Sequence, residues 1–314
     1  MTDNLKISYA PHIRKDRYIS TTMRDALIAL TPAALASIYF FGIRSLLVIA
    51  VSVITCILCE FLWNKVCKKP NSTKDLSAAV TGLLLAMCLP ANVPLYIPVF
   101  GGIFAIIVVK CFFGGLGQNI VNPALAARAF LLASWPVAMT SWDINGISSA
   151  TPLALLKDGR TNLPNLLDLF LGTNIQGCIG EVSSLLLLLG GIYLIVRKVI
   201  TPIIPVTYLV TLGIFGFVFN PSGLFNGDFL FSILSGGAFL GAFFMATDYT
   251  TSPLTAKGQF IYAFGAAIIT GVIRGYGAYP EGITYGILVM NIVTPLIDKA
   301  VVPKIFGKAV KENE

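Results

Sequence analysis

The chain has 314 residues, of which 56% are hydrophobic and 12% are charged, and its mean hydropathy is +0.81. Globular proteins carry about 25% charged residues, so this composition excludes an ordinary soluble protein and indicates one whose solvent is mainly lipid. The net charge of +7 does not indicate nucleic-acid binding, because the basic residues lie in short segments between apolar stretches. We therefore expect a membrane protein with no nucleic-acid partner.

The N-terminal segment, residues 1–24, is polar and basic and lacks a short apolar stretch followed by a small-residue cleavage site. A removable signal peptide is therefore not expected. Apolar runs of about 17–25 residues, the length that crosses a bilayer as a helix, follow along the chain. They predict ten spans, near 25–41, 45–64, 76–90, 95–112, 119–135, 178–196, 203–219, 229–247, 259–275 and 282–298.

These spans predict an all-α polytopic membrane protein of about ten transmembrane helices. Helices 1–5 occupy residues 25–135, helices 6–10 occupy 178–298, and a tail covers 299–314. The segment between the two groups, 136–177, is too polar to span a membrane and too long for a simple turn. Connections of this length are often functional.

The distribution of basic residues predicts the orientation. Ten spans place both termini on one side, and most of the 22 lysines and arginines lie on that side. The opposite side holds only Arg44, Lys157, Arg160 and Arg274. Because basic residues favour the cytoplasmic side, we expect both termini in the cytoplasm and the 136–177 loop outside.

A weak internal similarity suggests two related halves. A Gly-Gly pair at 101–102, expected to start a helix, leads to the segment 122–125 (Asn-Pro-Ala-Leu), and a second pair at 236–237 leads to 252–255 (Ser-Pro-Leu-Thr). Proline-interrupted helices at matching positions of two halves are typical of ligand sites in transporters. Ordinary proline kinks explain the pattern equally well.

The most informative segment lies in the outward loop, at Ser148-Ser149-Ala150-Thr151-Pro152. A following proline disfavours the helical region, so Thr151 is expected to be extended, with its hydroxyl clear of its own backbone. Pro152 is expected to open a helix. The sequence therefore predicts a tight turn that presents a threonine at a helix start.

In this segment the chain resembles the family of RnfD and NqrB subunits, in which the threonine of a Ser-Gly-Ala-Thr motif carries FMN through a phosphoester bond. The matching residues are Ser148, Ser149 in place of glycine, Ala150 and Thr151. The similarity extends over essentially the whole chain, including its spans and the Asn-Pro-Ala-Leu segment. It implies that Thr151 is the FMN acceptor and that a flavin transferase attaches the group on the outer face.

The resemblance also implies a function. RnfD belongs to the bacterial inner-membrane Rnf complex, which couples electron transfer between ferredoxin and NAD to movement of Na+ or H+. The chain would then need the other Rnf-type subunits, and family members are also associated with a non-covalent riboflavin. An NqrB-like subunit of a Na+-pumping NADH:quinone reductase is the alternative within the family. Two alternatives outside the family are a cofactor-free transporter or channel and a structural scaffold that binds partner subunits through helix faces rich in small residues.

Several charged residues lie in or beside the predicted spans. Arg128 falls within a span, where an unpaired cation is costly, so we expect either a contact to a flavin phosphate or ring carbonyl, or snorkelling to the inner interface. Four others are expected at cytoplasmic helix ends: Glu60, Lys110, Asp248 and Lys257. The six cysteines lack the spacing of a disulfide framework or a metal cluster, so we expect reduced, packed thiols and no metal site.

Overall fold

The structure is a computed structural model, and the residues described are 19–69, 72–144, 147–148, 150–158, 163–172, 176–181, 183–220, 223–277, 279 and 281–302. Most of both predicted tails therefore lies outside the described residues. The fold is predominantly helical, as expected. A helical segment stands at each of the ten predicted positions within the described part of the chain.

The first half of the chain forms five helices. They are α1 (Ile19–Phe41), α2 (Ile43–Val66), α3 (Ser77–Met87), α4 (Tyr96–Cys111) and α5 (Pro123–Ser134). A 3-10 turn, Thr73–Asp75, precedes α3. Helices α2 and α3 approach closely at Gly82, where an added Cβ would lie 2.7 Å from the Cα of Val53. Small residues allow this closeness between helices in a membrane.

The connecting loop, 136–177, contains more regular structure than the helix expected at Pro152. Its elements are α6 (Pro136–Thr140), β1 (Asp143–Ile144), β2 (Ile147–Ser148), α7 (Pro152–Lys157) and α8 (Leu166–Leu171). The two strands pair antiparallel, with Asp143 opposite Ser148. After the loop, a 3-10 turn at Ile179–Glu181 precedes the next helix. The predicted span 178–196 therefore begins as an α-helix only at Ser184.

The second half forms the remaining helices. They are α9 (Ser184–Val196), α10 (Ile203–Val218), α11 (Phe229–Leu234), α12 (Ala238–Leu240), α13 (Ala256–Tyr276) and α14 (Ile283–Ala300). A short hairpin of β3 (Phe219–Asn220) and β4 (Gly223–Leu224) follows α10. Helix α13 packs against both α10 and α14, and helices α1 and α9 join the two halves.

Among the described residues, four helices are individually long and apolar enough to cross a membrane, namely α1, α2, α13 and α14. Shorter apolar helices stand at the positions of α3, α4, α5, α9 and α10. With the apolar composition and the large number of exposed apolar side chains along these helices, the chain is a multi-pass membrane protein.

The predicted span 229–247 is broken rather than continuous. Gly236 and Gly237 both adopt φ of +63°, a left-handed conformation that ends α11 and separates it from α12. A π-helical segment, Gly241–Met245, continues from α12, and a second one, Phe104–Cys111, forms the end of α4. Single π-helical turns are frequent at functional sites.

The internal similarity is visible in part. In each half a π-helical segment is followed by a capped helix: Asn122 caps α5, and Thr255 caps α13. The two Gly-Gly pairs occupy different places in the two halves. The 101–102 pair lies inside α4 and not at a helix start as expected, whereas Gly237 directly precedes α12. The side chain of Asn122 also donates to the Met245 carbonyl at 3.2 Å and so links the two halves. Duplication itself stays a prediction.

Candidate functional site

Thr151 stands directly before α7, with extended backbone angles of φ −63° and ψ 156°. Pro152 occupies the first helical position, so both backbone predictions are confirmed. The threonine is only 3% exposed, and its Oγ accepts a hydrogen bond from the Ala154 N–H at 3.3 Å. The expectation that the hydroxyl is clear of its own backbone is wrong. An extended residue at a helix start brings its hydroxyl to the free N–H groups of the first turn.

The residues before Thr151 form the hairpin β1–β2. Ser148 belongs to β2, Ala150 lines a large cavity, and Ser149 lies outside the described residues. The motif therefore runs from a strand to a helix start within four residues. This arrangement fixes the main-chain path on both sides of the threonine.

Thr151 lines a narrow recess of about 10 Å³. Two carboxylates, Glu181 and Glu281, share the lining of this recess with Gln176 and Gly236. A space of this size holds about one water molecule. The recess is too small for an aromatic cofactor, and its carboxylates disfavour an added anion.

Ala150, the residue before Thr151, lines a separate cavity of about 600 Å³, and Glu281 lines both spaces. Small-molecule pockets span about 300–1,000 Å³ and combine apolar walls with a few convergent polar groups. Aromatic rings, hydroxyls and one pair of opposite charges line this cavity. The lining residues are Arg128, Leu132, Met139, Thr140, Ser141, Trp142, Ala150, Ala154, Leu155, Tyr279, Glu281, Thr284 and Tyr285.

Arg128 and Glu281 form an ion pair on the wall of the cavity, with both side chains 13% exposed. An Nη of Arg128 also lies 3.3 Å from Sγ of Cys178, the residue that follows the loop. The side chain of Arg128 therefore lies at the end of the helix bundle from which the 136–177 loop extends. Snorkelling to the opposite interface is therefore wrong, because α5 directs this side chain to a carboxylate and a cavity. Contact of Arg128 with a flavin stays a prediction.

Residues 6–307 match the model of the NQR2, RnfD, RnfE family. The chain belongs to this family. It is 51% identical over 310 residues to a component of the Na(+)-translocating ferredoxin:NAD(+) oxidoreductase complex of Acetobacterium woodii, covering 97% of this chain and 96% of the relative. It is 46% identical over 317 residues to the corresponding component of the proton-translocating ferredoxin:NAD(+) oxidoreductase complex of Clostridium ljungdahlii, with 96% of each chain covered. The resemblance to RnfD is confirmed.

Two functional candidates of this family member were not predicted from its sequence. Glu281 pairs with an arginine 153 positions earlier in the chain, a contact that only the packing of α5 on α14 creates. Glu181 accepts from the Cys178 N–H at 3.2 Å and lines the Thr151 recess. Glu181 did carry a signal, because it is an acidic residue within the predicted span 178–196.

A second charge pair, Glu60 and Lys110, lies near the C-terminal end of α2. Lys110 Nζ is 3.0 Å from both carboxylate oxygens of Glu60 and 2.6 Å from Ser77 Oγ, and Ser72 donates to the same carboxylate at 2.7 Å. Both charged residues are 2% exposed. Both residues lie near helix ends, as expected, but they are buried there, because each neutralises the other inside the bundle. Lys257 is exposed at the start of α13, as expected.

The cysteines are free thiols, and five of the six are buried. Cys178 lies close to two carboxylates, with ligand atoms of Cys178, Glu181 and Glu281 within 4.8 Å of one another. Arg128 already supplies positive charge to this group. The Cys178 thiol donates to the Cys88 carbonyl at 3.2 Å. This bond indicates a protonated thiol within a hydrogen-bond network.

Proposed function

We propose that the chain is the FMN-carrying electron-transfer subunit of an ion-translocating ferredoxin:NAD+ oxidoreductase complex. Thr151 is the proposed acceptor of the flavin phosphate. The observation that carries the proposal is the cavity of about 600 Å³ whose wall includes Ala150, the residue next to Thr151. The names of the similar proteins support the ferredoxin-linked complex over the quinone-linked alternative.

The residues present fit a flavin in the cavity beside Ala150. The recess that Thr151 lines is too small for a flavin, so a phosphoester on Oγ would have to extend out of it to the neighbouring cavity, with loss of the bond from Ala154. Trp142, Tyr279 and Tyr285 offer aromatic surface for a planar ring system. The volume of the cavity lies within the usual range for a bound small molecule.

A bound flavin would supply the electron-transfer chemistry, while the protein supplies its position and electrostatics. Arg128 provides positive charge at the cavity wall, and Glu281 holds its guanidinium in place. The hydrophobic wall formed by Leu132, Met139 and Leu155 limits access of water. Thr140, Ser141 and Thr284 offer hydroxyls that can hydrogen-bond the ring edge.

The proposed setting of the chain is a bacterial cytoplasmic membrane. On the distribution of basic residues, we place both termini in the cytoplasm and Thr151 outside. The other subunits of an Rnf-type complex are its proposed partners, together with the flavin transferase that attaches FMN. A non-covalent riboflavin is proposed as a second cofactor, with no residues assigned to it. The translocated ion is Na+ or H+.

In-gel flavin fluorescence of the denatured chain tests the attachment, after co-expression with a flavin transferase. We expect a fluorescent band for the native chain and none for Thr151→Ala. Thr140→Ala is the matched control, since it removes another threonine hydroxyl from the same loop, at the wall of the cavity. Fluorescence that persists in Thr151→Ala, or a dark native band under conditions that label a known acceptor, would refute the proposal.

A further inference from the structure

A separate small pocket lies between α7, α10 and α13, with a volume of about 40 Å³. Two cationic side chains, Lys157 and Arg274, line it together with apolar side chains and glycines. The described lining residues include no carboxylate. Glu181, a carboxylate that interacts electrostatically with Arg274, lines the Thr151 recess instead.

Arg274 stands in the last turn of α13 and contacts the end of α11. Its Nη1 donates to the Ser232 carbonyl at 2.7 Å, and its Nη2 donates to the carbonyls of Ser235 and Gly236 at 3.1 Å and 3.0 Å. Its Nε is buried and has no hydrogen-bond partner among the described residues. Buried donors are nearly always paired, so an orphan N–H points to a missing acceptor.

Lys157, at the end of α7, donates to the Gly277 carbonyl. Neither Lys157 nor Arg274 takes part in an ion pair within the described part of the chain. Carbonyl oxygens satisfy hydrogen bonds but do not neutralise charge. Glu181 acts on Arg274 only from the neighbouring recess, and no described carboxylate lines the pocket itself. Two positive charges beside apolar helices are costly, so an anion in the pocket would stabilise them.

The size and the walls of the pocket narrow the class of anion. A water molecule needs about 10–15 Å³ of such space, so about 40 Å³ admits a larger group such as a tetrahedral oxyanion. Leu212, Phe215 and Phe219 form an apolar side, and Phe219 is 40% exposed. An apolar side next to a cationic end suits an amphipathic molecule. Basic pockets between membrane helices bind lipid phosphates by this chemistry.

We propose that Lys157 and Arg274 bind a phosphate-class anion, supplied by a phospholipid headgroup or by free phosphate. Arg274 Nε and Lys157 Nζ are the donors that meet its oxygens. Because Lys157 belongs to α7, the bound anion also holds the helix that begins after Thr151 against α13. The site is independent of the proposed flavin and stands if Thr151 carries none.

Native mass spectrometry of the full-length chain in detergent tests the proposal with three probes: short-chain phosphatidylglycerol, the matching diacylglycerol without phosphate, and inorganic phosphate. We expect phosphatidylglycerol to bind at least about tenfold more tightly than diacylglycerol, as charge-assisted hydrogen bonds to phosphate would give. Lys157→Gln and Arg274→Lys should each weaken this binding by about tenfold. Arg274→Lys keeps the positive charge and removes the Nε donor.

Lys257→Gln is the matched control, because it removes an exposed charge from the opposite end of α13. The native chain produced without a flavin transferase separates this site from a flavin phosphate and should bind the lipid as tightly as the chain produced with one. Binding of inorganic phosphate alone, with the same loss in both pocket variants, would identify free phosphate as the source. Equal affinity for phosphatidylglycerol and diacylglycerol without phosphate binding, or unchanged binding in both pocket variants, would overturn the proposal.

Discussion

The buried pair of Glu60 and Lys110 predicts a large stability cost for removing either charge. In Lys110→Met the carboxylate of Glu60 keeps only the hydroxyl of Ser72, at 2.7 Å, as a described partner. In Glu60→Gln the ammonium loses its counter-charge and one of two acceptor oxygens at 3.0 Å, and keeps the amide oxygen and the Ser77 hydroxyl. Leaving one buried charge of a pair uncompensated costs about 3–5 kcal/mol.

The double variant separates this effect from a general loss of packing. Glu60→Gln combined with Lys110→Met leaves two neutral side chains of similar length, and replacing a buried pair by neutral groups is often close to neutral in stability. The double variant should therefore be more stable than either single variant. The coupling free energy between the two positions is then about 3 kcal/mol or more.

Reversible unfolding in mixed micelles of a mild detergent and dodecyl sulfate, followed by circular dichroism, measures these free energies. Lys65→Met is the control, since it removes an exposed lysine from the last turn of the same helix and should cost less than about 0.5 kcal/mol. If Lys110→Met cost no more than Lys65→Met, or if the two single effects simply added in the double variant, the stabilising role assigned to the pair would be refuted.

Three further predictions concern the loop and its surroundings. Without the flavin transferase, Thr151→Ala should cost about 1 kcal/mol of local stability through loss of the helix cap, seen as faster hydrogen exchange at the Ala154 amide; unchanged exchange would contradict it. In the flavinylated chain, Glu281→Gln should raise the flavin midpoint potential by about 30 mV or more, because Arg128, no longer paired with a carboxylate, then stabilises the negative charge of the reduced flavin. An equal shift in the exposed variant Asp158→Asn would contradict this. Burial raises the pKa of Asp248 above its ordinary value of 3.8, so the folded state favours the protonated acid and loses stability as pH rises through that range. Asp248→Asn should therefore gain stability relative to the native chain as pH rises from about 4 to 8, and a pH-independent difference in unfolding free energy would contradict it.

The positions of the membrane helices could be predicted because lipid imposes a simple rule. A segment without water must be apolar and must pair its own backbone groups, so hydropathy alone indicates where helices lie. The break at Gly236 and Gly237 escaped this reasoning, since glycine in an apolar run hardly reduces its hydropathy. The helices α6 and α8 of the 136–177 loop escaped it as well, because helices of five or six residues carry too little periodic signal. The start of α7 was predictable only because Pro152 marks it.

At the candidate site, local chemistry was predictable and distant contacts were not. Pro152 indicated the extended backbone of Thr151, because its ring restricts the preceding residue directly. The burial of Thr151, the pairing of Arg128 with Glu281 and the cavity beside Ala150 all depend on elements far apart in the chain. From a single sequence one can recognise a charged residue that needs a partner within the membrane, but not which residue that partner is.

The most direct test of the central claim is the mass of the peptide that contains Thr151, from the chain co-expressed with a flavin transferase. We predict an added FMN mass on this peptide, and fragmentation should localise it to Thr151 and not to Thr140. An unmodified Thr151 peptide, in a preparation where a known acceptor is fully modified, would contradict the assignment of this subunit as a covalent flavin carrier.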